Sequence, residues 1–125
     1  MSRYNQPLDV ALAIEAKIEI MERERPRLSE IAREKALTAG EYEKQLAITL
    51  IQLKNASIEE WNGLPVGKIP ASIMSKVAQG IANEYKIKAD VAESAYKAHV
   101  LKLDSIKVEM NGLQSIYKHL DSTGR

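Results

Sequence analysis

ASIMSKVAQGIANEYKIKADVAESAYKAHVLKLDSIKVEMNGLQSIYKHLD, residues 71–121, is the stretch whose reading decides the fold. It contains no proline, and its glycines at 80 and 112 are tolerable inside a helix. One seam runs through it: Met74, Val77, Ile81, Tyr85, Ala89, Ala92, Tyr96, His99, Leu103, Ile106, Met110, Leu113, Tyr117 and Leu120. The steps alternate between three and four, apart from a run of fours near Tyr85. Their mean lies close to the 3.5-residue repeat of a left-handed coiled coil. A helix of about 50 residues spans roughly 75 Å and needs partners along its length to be stable.

A second apolar set lies off this seam: Ile73, Ile87, Val91, Val100, Leu101, Val108 and Ile116. It fits either a wider face in a three-helix intramolecular bundle or an interface between copies of the chain. The chain has few other elements to cover such a stripe, which favours the oligomer. The expected interface residues are Ile87, Val91, Leu103, Ile106, Met110, Leu113, Tyr117 and Leu120.

Working back towards the N-terminus, LPVGKIP (residues 64–70) is the one clear loop, with two prolines and a glycine. Before it, Tyr42, Leu46, Leu50 and Leu53 share a helical face, widened by Ile48 and Ile51. Thr38-Ala39-Gly40-Glu41 fits a capping box, and Asn62-Gly63 fits a helix C-terminal cap. Those signals predict a helix over 41–61. Pro7 suits a helical first turn. Ala11, Ile14, Ile18 and Met21 then recur at helical spacing, resuming at Leu28 and Ala32 beyond Pro26. The expectation is a helix over 7–37 with a kink or break at Arg25-Pro26. Together these predict an all-α, elongated helical hairpin or bundle, a single domain over 1–125, with a long coiled-coil-like C-terminal helix.

Composition agrees. Apolar residues are 45% of the chain and mostly aliphatic, with no Phe and one Trp, which suits narrow helical seams. The absence of Cys excludes disulfides and thiolate metal sites. No apolar run approaches membrane-spanning length, and MSRYNQPLDV lacks a signal pattern. The expected location is the cytoplasm of a bacterial host cell, with no membrane partner.

Catalytic and metal motifs are wanting: there is no HExxH, P-loop, GxGxxG or nucleophile elbow. Catalytic residues, metal ligands, cofactors and a small-molecule substrate are therefore not expected. His99, on the seam, reads as a core or interface histidine rather than a ligand or pH switch. His119 suits a helix C-terminus. Trp61 reads as packing the hinge rather than stacking on a base.

The net charge of +1 divides unevenly. Residues 1–63 carry nine Lys/Arg against eleven Asp/Glu, and residues 64–125 nine against six. Nucleic-acid contact is permitted but not demanded. Its candidate residues are Arg23, Arg25 and Arg27, Lys68 in the loop, and Lys76, Lys86 and Lys88. For the arginines and the helical lysines the plainer reading is a solvated helix flank; Lys68, in the loop, is expected to be better exposed than these.

Two resemblances follow from these segments. EYEKQLAITLIQLKNA, a Gly/Pro interruption and KADVAESAYKAHVLKLDSIKVEMNGLQSIYKHL, over roughly residues 41–121, resemble the small helical accessory proteins of phage recombination, the UvsY-type mediators among them. That resemblance implies a non-enzymatic oligomer that binds single-stranded DNA or a recombinase. Trp61-Asn62-Gly63 between helices, with Tyr117 and Asp121 four apart, is similar to the WXG-type secreted helical hairpins. A third class fits the same architecture: a protein-binding module, such as a phage inhibitor of a host enzyme or defence system, or an assembly chaperone.

Overall fold

A computed structural model describes residues 6–67 and 69–123. The order is α1 (Pro7–Lys54), β1 (Glu60–Trp61), β2 (Leu64–Pro65), α2 (Ala71–Ile81) and α3 (Asn83–Thr123). The fold is all-α apart from the two-residue strands. The chain divides into two compact units, Met1–Glu30 with Tyr96–Arg125, and Ile31–Ala95. Both α1 and α3 contribute to each of these units.

In the first unit the early part of α1 and the late part of α3 run antiparallel: Glu24 meets Lys102, while Lys17 meets Glu109. The α1 seam is Val10, Ile14, Lys17, Met21, Glu24 and Leu28, all buried or half-buried. Its steps of four and three match those of the facing seam on α3. There Ile106 and Leu113 are buried and Leu103, Met110 and Leu120 half-buried, as the periodicity requires.

The second unit is built around Leu53, Val66 and Ala78, with Leu50, Ile58, Trp61 and Met74 among the side chains packed on them. Helix α1 ends in a Schellman-type turn: the Ser57 amide donates to the Gln52 carbonyl at 2.9 Å, and Ala56 takes a left-handed φ of 59°. The strands then pair Glu60 with Pro65 and Trp61 with Leu64. Asn62 and Gly63 turn the hairpin at φ 52° and 78°, as a two-residue type I′ turn demands.

Four sequence expectations are corrected. Helices predicted over 7–37 and 41–61 are one helix that stops at Lys54. Pro26 is exposed, as is Glu22, whose carbonyl loses its helical donor, so water can serve it. The Thr38 hydroxyl does not cap a helix; it donates back to the carbonyls of Glu34 (2.8 Å) and Lys35 (3.1 Å). Asn62-Gly63 is a hairpin turn rather than a helix cap. Finally, the helix predicted over 71–121 is divided at Ala82, whose φ and ψ are −87° and 12°. The run of fours through Val77, Ile81, Tyr85 and Ala89 straddles this joint, so the departure in spacing marks where the two helices meet.

Candidate functional site

Because the α3 seam is spent on intramolecular packing, the opposite face of that helix is what remains. In the first unit Leu101 and Val108 are 67% and 69% exposed. In the second, Ile87 and Val91 are 53% and 64% exposed. These side chains form an apolar stripe at regular helical spacing; on α1, Leu8, Leu12, Leu37 and Ile51 are exposed to a similar degree. Beside Leu101, a shallow groove of about 350 Å³ is lined by Tyr96, Lys97, Val100 and Leu101.

Of the residues expected at an oligomer interface, Ile87 and Val91 are on this outward face. Ile106 and Leu113 are buried within the chain, so they are taken up by its own packing; Leu103, Met110 and Leu120 are half-buried, and Tyr117 is 38% exposed. Leu101 and Val108 were absent from that set although they belong to the off-seam apolar set. The signal that finds them is a second alternation of three and four: Ile87, Val91, Ser94, Ala98, Leu101, Ser105, Val108, Gly112.

The expected nucleic-acid contacts fall into both units. Arg23, Arg25 and Arg27 lie exposed on α1 in the first. Lys76, Lys86 and Lys88 are exposed in the second. Lys86 pairs with Asp90 at 3.2 Å and sits 6.0 Å from the Tyr42 ring centre, and Lys88 sits 5.8 Å from that of Tyr85. Both amines are thus already engaged by their own unit. Lys68 lies outside the described residues.

Inside the first unit is a polar cluster that no local pattern announces. Glu24 and His99 are both buried. The Lys102 Nζ donates to Glu24 Oε1 at 3.1 Å. His99 Nε2 lies 3.5 Å from Glu24 Oε2 and 3.4 Å from the Glu24 carbonyl oxygen. Oε2 is buried with no hydrogen-bond partner. The hydrogen bond from Lys102 holds the Glu24 carboxyl below its usual value against the opposing effect of burial, with the charges of Lys102, Arg27 and His99 adding to the lowering. His99 is therefore the core histidine that its seam position implied. Its signal in sequence was the seam alone; Glu24, 75 residues away, gave none.

The second unit offers a larger apolar cleft of about 700 Å³, with Ala56, Ile58, Pro65, Ile69, Pro70 and Ile73 in its wall. Trp61 packs the hinge, as expected: its indole lies on Gly80, where an added Cβ would come within 2.8 Å of Cζ2. Among the described residues no group of three His, Asp or Glu side chains could hold a metal ion, and no helix is long and apolar enough to cross a membrane. Comparison with protein-family models, curated proteins and solved structures finds no match.

Proposed function

We propose that this chain is a non-enzymatic accessory protein that acts as a self-associating helical module, using the outer face of α3. The observation that carries this reading is the exposure of Leu101 and Val108 on a face opposite an already satisfied seam. A helix apolar on two opposite sides needs two partners, and its own chain supplies one. The test is light scattering over a concentration series. The mass should rise above that of the monomer, and Leu101→Glu should return it to the monomer with helicity unchanged. A wild-type chain that stays monomeric at about 500 µM, well above the range of weak specific contacts, overturns the reading.

A second reading, contact with single-stranded DNA in support of phage-type recombination, is favoured by Arg23, Arg25 and Arg27. All three are exposed within little more than one turn. Binding of an oligonucleotide should weaken steeply with salt, and Arg23→Ala with Arg27→Ala should reduce the salt slope by about two. Absent or salt-insensitive binding removes this reading and leaves a protein partner.

A further inference from the structure

We infer that the partner of the outer α3 face is a second copy of the same chain, running antiparallel and centred between Ile106 and Lys107. This rests on the self-association reading and gives it a geometry.

Within the first unit the outer stripe is Ala98, Leu101, Ser105, Val108, Gly112 and Ser115, all exposed. Large and small side chains alternate along it. Turn a second copy end for end about that centre, and Leu101 faces Gly112, Val108 faces Ser105, and Ala98 faces Ser115. Each bulky residue then meets a small one, and no two bulky residues collide. At Gly112 an added Cβ would meet nothing within 4 Å, so the chain leaves space there for Leu101 of the other copy. The Ser115 hydroxyl already donates to the Asn111 carbonyl at 3.2 Å, so covering it strands no donor.

The flanking charges choose between the two directions. In a coiled contact, parallel helices bring each residue on one flank against the residue five further on across the seam. Here that sets Lys97 against Lys102 and Asp104 against Glu109, like charges in both charged pairs, and twofold symmetry doubles them. Antiparallel helices pair each flank with itself. At the stated centre this brings Lys102 to Glu109 of the other copy, twice by symmetry, and Asp104 to Asn111; only Lys97 and Lys118, at the ends, are alike. An antiparallel contact with its centre moved by half a heptad, onto Leu103, instead opposes Lys102 to Lys102 and Asp104 to Asp104. Lys102 and Glu109 are about half exposed, their side chains at 53% and 51%, and each is paired with α1, Lys102 with Glu24 and Glu109 with Lys17, so the contact between copies adds to these pairs rather than replacing them.

The contact covers residues 98–115, about 27 Å of helix, so association is weak and best trapped covalently. The natural chain has no cysteine, which makes the experiment clean. Ser105→Cys and Val108→Cys chains, mixed and gently oxidised, should form the mixed disulfide; so should Leu101→Cys mixed with Gly112→Cys. Leu101→Cys alone should not cross-link to itself, because the two copies of that position lie roughly 16 Å apart along the axis, beyond the reach of a disulfide. Self-linking of Leu101→Cys with no mixed product overturns the antiparallel geometry while leaving self-association standing. A strictly monomeric wild-type chain overturns both. Oligomers that form no cross-link at any of these positions overturn the assignment to this face.

Discussion

The two units solve the same problem with different materials. The second unit is held by an apolar cluster gathered around a loop: Leu53, Val66 and Ala78 at its centre, and Trp61 laid against Gly80. The first has the longer, more regular helical seam, yet places Glu24 and His99 in it. The contrast shows that periodicity and apolar content are separate properties. A heptad seam brings two helices together wherever its layers fit, and a layer can be polar if its charges are answered. The second unit depends on shape, so it is sensitive to volume. The first depends partly on charge, so it is sensitive to acid.

The single tryptophan belongs to the second unit, so its fluorescence follows that unit while far-ultraviolet circular dichroism follows all the helices. The largest effect is expected for Trp61→Ala, which empties the seat over Gly80 and should cost about 3 kcal/mol in denaturant unfolding, near the lower end for large aromatic truncations because Trp61 is only half-buried. A loss under about 1 kcal/mol would mean that the indole is not a packing element. Gly80→Ala approaches the same contact from the other side. The added methyl must displace the ring, for a cost of about 1–3 kcal/mol and a red-shifted emission. Unchanged emission would show that the ring does not rest there.

The first unit should answer to pH instead. Glu24 is held below its ordinary value in the folded chain. Its contribution to stability is therefore present above the unfolded carboxyl value, near 4.5, and is lost as pH falls through the lower folded value. Unfolding followed by circular dichroism should show an acid loss that Glu24→Gln reduces. Identical pH profiles for the two proteins would remove Glu24 from the account. The smallest change is a gain. Ala56 holds a left-handed φ of 59° that glycine adopts without strain, so Ala56→Gly should stabilise the end of α1 by up to about 1 kcal/mol. A destabilised variant would show that the methyl, which lines the apolar cleft, matters more than the backbone.

How far these differences could be read beforehand depends on the range of the signal. The α3 seam was fully legible, because alternating steps of three and four are a local property of a helix; the joint at Ala82 was not, since a run of fours fits a continuous helix as well as a divided one. Continuity of α1 was not. Pro26, Thr38 and Gly40 are punctuation by local preference, and each is overruled by circumstance: water can reach the carbonyl freed by Pro26, the Thr38 hydroxyl is satisfied by its own helix, and Gly40 has the support of helix on both sides. Asn62-Gly63 suits two structures equally on local grounds, and the pairing of Trp61 with Leu64 chose the hairpin. The Glu24–His99 contact was out of reach, since nothing in either segment specifies a partner so distant in the chain. For the proposed interface, the apolar outer set was visible in sequence, but only the burial of Ile106 and Leu113 separates the residues already spent from those still available.

The cluster at Glu24 bears on a weakness of every repeating seam. A heptad pattern maps onto itself when one helix slides by seven residues, so apolar layers alone leave the sliding coordinate nearly degenerate. Slide the first unit one way, and the Glu24 carboxylate is carried from His99 to Ile106; slide it the other, and His99 is carried towards Lys17. One displacement strands a charge against an alkyl wall, and the other sets two basic groups together. The ionic layer at Glu24, together with the Lys17–Glu109 pair one heptad away, thus acts as the zero mark on the scale, fixing the phase of two helices whose apolar layers alone would accept several.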